Sequence, residues 1–287
     1  MVLFRLGFAI LLALQATAQD RRPLRIIAFG AHPDDNELRV GGTAILWARQ
    51  GHKVKFVSVT NGDAGHDKIA GGPLALKRAE EVRRAAKIMG IESQVLDNHD
   101  GELLPTLENR KTITRLIREW EADIVITHRT NDYHPDHRYT GILVQDAAYM
   151  VTVRFFCPDV PALKKNPAFF YNYDNFQKPV PFRPDVIVAT DAAMEQKVKA
   201  LVEIESQFID TWYPDPPLDK QDPRVRQTRV EKLLSRDTMP VRLHQELLNE
   251  YYGPKAGTIR YAEAFEMCEY GRRADRKELR TLFPIQE

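Results

Sequence analysis

His32, Asp34 and Asp35 share one tight turn, His32-Pro33-Asp34-Asp35, directly after the apolar run Ile26-Ile27-Ala28-Phe29. A second cluster, His134-Pro135-Asp136-His137, repeats the same residue types later in the chain. Imidazole and carboxylate together form the borderline N/O donor set that holds Zn²⁺, and hydrolytic zinc sites keep one position open for water. Such a site needs three protein ligands and a base beside the water. His32 and Asp35, on one sharp turn, can both face a single ion, and His137 at the start of the following helix can supply the third bond. Asp34 is then left beside the metal, placed to take the proton of a water whose pKa the cation has lowered. His134 is close enough to share the site without being forced to bind the ion. Held as imidazolium by Asp136 or another carboxylate, it can stabilise the oxyanion formed when hydroxide attacks an acyl carbon. Either motif alone is also the pattern of a capped turn or a solvated histidine; the pair, at strand ends of one sheet, predicts metal-assisted amide hydrolysis.

The remaining histidines carry less. His99, within Asp97-Asn-His-Asp-Gly-Glu, is a candidate substrate contact. His52, His66 and His128 are expected to have structural or solvent roles, as single histidines near loops mostly do.

Positioning these residues falls to an alternation of short β-rich runs and helical patterns that begins at Arg25, the signature of a parallel sheet with crossover helices. Strands are expected at Arg25–Phe29, Val54–Val59, Gln94–Leu96 and Asp123–Thr127, and helices at Thr43–Gln50, Leu74–Met89 and Leu107–Glu121. The fold class is thus α/β, a Rossmann-like, mostly parallel sheet with helices on both faces, plus a loop-rich C-terminal extension. In open sheets of this kind ligands sit beyond the carboxyl ends of the strands, where His32, Asn61-Gly62-Asp63, the Asn98-to-Glu102 turn and His128 onward can converge. Gly30, Gly41 and Gly42 do not have the spacing of a dinucleotide fingerprint; they are expected to be flexible backbone entering a helix at Thr43.

After about residue 150 a proline-punctuated stretch holds two expected strands, Phe169–Tyr173 and Asp185–Ala189. Asp191 is placed to cap a helix running towards Phe208. A turn-rich linker or lid is expected at Tyr213–Asp219, then two further helical patterns and a late apolar run near Tyr261–Cys268. No internal repeat is present.

Arg5, the apolar stretch Leu6 to Leu14 and the small-x-small Ala16-Thr17-Ala18 make a tripartite signal peptide, with cleavage before Gln19 expected. Residues 1–18 are accordingly set apart from one domain over 19–287, in which 19–150 bears the motifs and 151–287 builds the substrate rim and C-terminal elements. The expected location is secreted or periplasmic, with no stable membrane span after cleavage. Lys+Arg number 41 and Asp+Glu 40, and no basic stripe interleaved with aromatics is present, so nucleic acid is not an expected partner. Cys157 and Cys268 are as compatible with one bridge as with two buried thiols; neither forms a C-x-x-C pair.

His32-Pro-Asp-Asp-Asn-Glu-Leu, Gly41-Gly-Thr, Thr60-Asn-Gly-Asp-Ala-Gly, Arg78 with Glu81 in a helix ending Met89-Gly90, Asp100-Gly-Glu-Leu and His134-Pro-Asp-His follow one another in an order that resembles the PIG-L/LmbE-like N-acetylglucosaminyl deacetylase family. The likeness covers roughly residues 24–150, and Tyr261-Ala-Glu-Ala-Phe resembles a segment near that family's end. It implies a Rossmann-like, Zn²⁺-dependent deacetylase of N-acyl amino sugars. By position it implies His32, Asp35 and His137 as metal ligands and Asp34 as general base. It implies His134 as the oxyanion-stabilising histidine, Asp136 as the acid that tunes it, and Arg78 as a substrate contact. A solvated helix-surface arginine is an equally good reading of Arg78, and Tyr133 is a further substrate-binding candidate. Export and the segment Val151 to Pro240 depart from the family pattern. The expectation is one Zn²⁺ per chain, or another divalent ion such as Fe²⁺, and a small-molecule or oligosaccharide N-acyl substrate. The rivals are a deacylase of non-sugar amides and a metal-containing carbohydrate-binding protein without turnover. A pure binder has no need of Asp34.

Overall fold

The structure is a computed structural model that describes residues 22–210 and 222–285. The expected signal peptide and the Tyr213–Asp219 linker lie outside the described residues. The strands are β1 (Arg25–Gly30), β2 (Lys53–Thr60), β3 (Glu92–Asn98), β4 (Ile124–Thr127), β5 (Ala168–Asn172), β6 (Val186–Ala189) and β7 (Ala262–Gly271). The α-helices are α1 (Asp35–Arg49), α2 (Gly72–Met89), α3 (Leu107–Glu119), α4 (Pro135–Met150), α5 (Met194–Val202), α6 (Glu205–Phe208), α7 (Pro223–Leu233), α8 (Thr238–Leu243), α9 (Gln245–Tyr252) and α10 (Arg276–Leu282). No described helix is long and apolar enough to cross a membrane.

One seven-stranded sheet runs β3-β2-β1-β4-β5-β7-β6. Its first five strands in sequence pair in parallel, and β7 pairs antiparallel with both β5 and β6. A central parallel strand covered on both faces must be apolar throughout, and β1 is buried from Ile26 to Gly30. Its side chains alternate between two cores. Ile26 and Ala28 join Val40, Ile45 and Trp47 of α1, Val82 of α2, Val198 of α5 and Leu279 of α10. Ile27 and Phe29 join Ile113 and Ile117 of α3 and Leu143 and Val144 of α4.

β1 pairs with β2 on one side and β4 on the other, so the strand order reverses between β1 and β4. A crevice opens where connections leave a sheet in opposite directions, and ligands bind there. His32 follows β1 and His134 to His137 follow β4, which brings both motifs to this crevice.

The first helix differs from expectation: α1 starts at Asp35, not Thr43, so Gly41 and Gly42 lie in its interior rather than in a flexible entry. The reason is close packing. A Cβ on Gly42 would stand 2.7 Å from Thr190 Cγ2 and 3.0 Å from Glu263 Oε1. Glu263 accepts the Gly42 and Thr43 N–H groups, each at 2.8 Å, and Lys197 Nζ donates to Leu38 O at 2.8 Å, to Asp237 at 2.6 Å and to Glu263 at 2.8 Å. The Tyr261-Ala-Glu-Ala-Phe segment thus fastens β7 to the helix that begins at the metal-motif turn. The helix expected from Asp191 towards Phe208 is interrupted: a 3₁₀ turn (Asp191–Ala193) leads into α5, and α6 follows separately. Cys157 and Cys268 are both buried and free.

Candidate active site

The turn after β1 is closed by backbone. Asp34 and Asp35 N–H groups donate to His32 O at 2.9 and 3.3 Å, and His32 N–H donates to Asp35 Oδ2 at 2.8 Å. His137 occupies the first turn of α4, for which His134 is the N-cap. Gly141, one turn further, lets that helix lie against the end of β4, since a Cβ there would meet His128 O at 2.7 Å.

Three side chains converge. His32 Nδ1 and His137 Nε2 stand 3.2 Å apart, His32 Nδ1 and Asp35 Oδ2 3.5 Å, and His137 Nε2 and Asp35 Oδ1 3.5 Å. Donor atoms bound tetrahedrally at zinc distances are separated by roughly 3.3–3.6 Å, so His32 Nδ1, His137 Nε2 and the Asp35 carboxylate, with one oxygen facing each ring, fit one such ion. The other ring nitrogens lie beside carboxylates, where orienting partners of metal-binding histidines are found, though His137 Nδ1 is not aligned for a hydrogen bond. His32 Nε2 stands 3.0 Å from Asp100 Oδ1 and 3.3 Å from Asp136 Oδ2; His137 Nδ1 stands 3.1 Å from Asp132 Oδ1. Burial alone would lower His32, but Asp100, Asp136 and Asp35 outweigh it and hold its pKa well above the ordinary histidine value. His137 is likewise raised against its burial, by Asp35 and Asp132. Asp35, despite burial, is held well below the carboxylate range by His137 and His128. A site so rich in carboxylate is complementary to a divalent cation.

Asp34 behaves differently. Its carboxylate makes no hydrogen bond or ion pair among the described residues, and burial, with the charge of Asp35, pushes its pKa up to about 6 against the pull of His32, Arg78 and His137. The poise is that of a base near neutrality.

His134 lies edge-on to His32, with ring centroids 4.7 Å apart, and 5.1 Å from His137. Its Nδ1 accepts the backbone N–H of Asp136 at 3.2 Å, and burial, then His32 and His137, lower its pKa. This corrects the expected imidazolium: His134 is a neutral ring with its proton on Nε2. Nor does Asp136 hold it by a side-chain bond. The Asp136 carboxylate faces His32 and accepts the N–H groups of Gly101 at 2.7 Å and Leu103 at 3.3 Å.

Three other triplets share the cluster, Asp35-His128-His137, His32-His134-His137 and His32-Asp100-Asp136, each with donor atoms within 4.8 Å. His128 is stacked face to face on His137 at 4.2 Å, and its Nε2 accepts the Ala31 N–H at 3.1 Å, which occupies the lone pair a metal would need. It is a supporting wall. His134, with Nδ1 accepting a backbone N–H and its proton on Nε2, offers a hydrogen-bond donor rather than a lone pair.

Of the proposed substrate contacts, Arg78 is buried rather than a solvated surface residue, 2% exposed. It donates to Gly65 O and Gln207 Oε1, and Nη1 lies 3.9 Å from Asp100 Oδ2. Tyr133 is 70% exposed, its ring 5.6 Å from that of His137. His99 is turned to Asp63, Nδ1 to Oδ2 2.6 Å, on the rim; none of its contacts among the described residues reaches the triangle. Asp100 and Asp132 escaped sequence reasoning as functional residues. Asp132 was signalled by its place two residues before His134, whose N–H it accepts at 3.0 Å in an Asx-type turn.

A mostly parallel sheet with a His/Asp cluster at its switch point defines an α/β protein with a candidate metal centre. The sequence pattern of the PIG-L family, described as GlcNAc-PI de-N-acetylase, matches residues 27–148. Diacetylchitobiose deacetylase of Thermococcus kodakarensis is 30% identical over 201 residues, 66% of this chain and 72% of that protein. The chain belongs to the PIG-L/LmbE-like deacetylase family. Among solved structures, N,N'-diacetylchitobiose deacetylase from Pyrococcus horikoshii superposes with a TM-score of 0.66 at 24% identity, covering 92% of each chain. GalB, the 4-carboxy-2-hydroxymuconate hydratase of Pseudomonas putida KT2440, superposes with a TM-score of 0.68 at 17% identity, covering 88% of this chain and 99% of its own. These two likenesses carry the fold alone, and the second belongs to a protein named for a different reaction.

Proposed function

We propose that the protein is an exported, zinc-dependent N-deacetylase that removes an acyl group, acetyl above all, from an N-acetylated amino sugar or a related compound. The observation that carries this reading is the triangle of His32, Asp35 and His137 with Asp34 unpartnered beside it. Family membership and the deacetylase named in the relative from Thermococcus kodakarensis support the reaction. The tripartite residues 1–18 support export to a secreted or periplasmic location.

His32 Nδ1, His137 Nε2 and the Asp35 carboxylate would hold the ion. When bound, a divalent ion there supplies positive charge that lowers the pKa of a water and polarises the acyl oxygen. Asp34 accepts the proton of the attacking water on its carboxylate and returns it to the departing amine nitrogen. His134 donates its Nε2 proton in a hydrogen bond to the acyl oxygen as negative charge develops; a neutral donor serves without giving the proton up. Asp100, between His32 and Arg78, keeps both oriented. The balance is amide plus water to carboxylate plus amine.

The test is release of free amine and acetate from a panel of N-acetylated mono- and oligosaccharides by zinc-loaded wild type and Asp34→Asn. Substitution by Asn keeps shape and removes the proton acceptor, so turnover is expected to fall by roughly 10² or more at unchanged metal content. Near-normal kcat in Asp34→Asn removes it as the base. No acyl release by wild type from any sugar or non-sugar amide offered favours a binding protein.

A further inference from the structure

Arg78 and Glu81 stand one turn apart on α2, and the reaction derived above uses only the first. Glu81, 1% exposed, accepts the Ser206 N–H at 3.0 Å and the Ser206 hydroxyl at 2.6 Å. Phe208 and Ile209 enter the same core as Val82 and Ala85 of α2. The short helix α6 is thereby fixed against α2, and Gln207, next to Ser206, reaches the arginine. Arg78 Nη2 donates to Gln207 Oε1 at 2.5 Å and to Gly65 O at 2.7 Å. These two acceptors take both hydrogens of Nη2. Nη1 donates to no acceptor among the described residues. It lies 3.9 Å from Asp100 Oδ2 and against the loop after β2, where a Cβ on Gly62 would stand 2.6 Å from it and one on Gly65 3.0 Å. A hydroxyl oxygen about 2.8 Å from both Nη1 and Oδ2 would accept from the arginine and donate to the carboxylate.

We propose that Gln207 is a positioning residue for the substrate: its side-chain carbonyl oxygen pins Arg78 by Nη2 and so turns Nη1, beside Asp100, towards a hydroxyl of the bound N-acyl compound. This rests on the deacetylase reading above. A guanidinium is a planar fork, so fixing one arm sets the direction of the other. Without Gln207 the fork keeps a single acceptor on Nη2 and is free to swing onto Asp100, closing a charge-assisted pair that competes with the substrate for both partners. The Glu81–Ser206 clasp then has a role as well, since it delivers the glutamine at a set height along α2. Gln207 lies outside residues 27–148, the span that matches the family pattern. A segment of the chain's C-terminal half therefore aims an arginine that sits inside that span.

The test is steady-state kinetics of the zinc-loaded full chain with N-acetylglucosamine, in wild type, Gln207→Leu and Gln207→Glu. Leucine removes the acceptor at similar bulk, whereas glutamate keeps the acceptor and loses the amide N–H groups. Gln207→Leu is expected to raise KM by about tenfold, the size of one hydrogen bond to a charged group, with kcat within about threefold of wild type. Gln207→Glu is expected to keep KM within about threefold of wild type. A fold merely loosened by the substitution lowers Tm and the active fraction, hence kcat, and leaves KM where it was. Gln207 is half-buried, and Gln207→Met, of similar length, replaces Gln207→Leu should that variant not fold. A wild-type KM in Gln207→Leu overturns the proposal, and so does a KM in Gln207→Glu raised as far as in Gln207→Leu, which would assign the effect to the amide N–H groups. Should wild type not hydrolyse N-acetylglucosamine, the deacetylase reading fails separately for this sugar, and calorimetric titration of the same three proteins with it decides Gln207. Binding weakened in Gln207→Leu and kept in Gln207→Glu supports the proposal; equal binding in all three, or none in wild type, overturns it.

Discussion

His134 Nδ1 accepts the backbone N–H of Asp136 at 3.2 Å. A ring nitrogen that accepts cannot also carry a proton, so the bond fixes the tautomer and leaves Nε2–H as the group offered to the site. The N-cap of α4 and the proposed oxyanion donor are therefore the same side chain.

His134→Ala removes that donor and leaves His32, Asp35 and His137 in place. The variant is expected to bind zinc like wild type and to lose on the order of 10² to 10³ in kcat. Elemental analysis alongside initial rates checks this, and metal loss in the variant would show that the ring takes the other tautomer and ligates the ion through Nε2.

Asp132 works one step further out. Its Oδ1 accepts the His134 N–H at 3.0 Å and stands 3.1 Å from His137 Nδ1, so one carboxylate holds the His134 backbone and places its charge beside the His137 ring. Asp132→Asn keeps an acceptor and loses the charge. Zinc affinity, read by competition with a chromogenic chelator, is expected to fall roughly 10- to 100-fold; an unchanged affinity would show that His137 is oriented by the rings packed around it and not by Asp132.

How much of this the sequence disclosed depends on distance along the chain. The strands near His32 and His134 are legible because continuous apolar runs are local, and both motifs sit at their ends. The start of α1 is not, because Asn36 and Glu37 are buried polar residues that break the apolar period, and Gly41 and Gly42 read as helix breakers. What makes them helical is Glu263 and Lys197, more than 150 residues later, which no local pattern announces. Asp100 is hidden for the same reason: its partners His32 and Arg78 come from other crossovers. Arg78 shows the limit of composition, since an arginine on a helix reads as solvated until the packing around Gly65 and Gln207 is known.

Export is tested by the chain end. Ala16-Thr17-Ala18 predicts a mature protein beginning at or near Gln19. Sequencing the N-terminus of protein recovered from the periplasm or medium of the native host checks it, and an intact Met1 in the cytosol would contradict it.

The buried cluster of Lys197, Asp237 and Glu263 gives a stability prediction independent of the metal. Burial pushes Asp237 up to about 6, with Glu263 adding to the rise and Lys197 and Arg39 opposing it. Lys197 is held above its ordinary value, against its burial, by Asp237 and Glu263. One lysine between two carboxylates leaves a surplus negative charge, and a proton on Asp237 removes it. Since the folded value lies above the ordinary 3.8, the folded protein holds a proton that the unfolded chain has released between those two pH values. The stabilisation from that proton is fully present below 3.8 and is lost as pH rises through about 6. Asp237→Asn imitates the protonated residue at every pH and keeps an acceptor for Lys197 Nζ. Its Tm relative to wild type is expected to climb by on the order of a few degrees between pH 4 and pH 8, levelling off above about pH 7. Titrations at the metal centre are common to both proteins and cancel in the difference. A Tm difference that stays flat across this range would mean that Asp237 remains ionised beside Lys197 throughout, and one that falls with pH would mean that its charge stabilises the junction of α1 with β7.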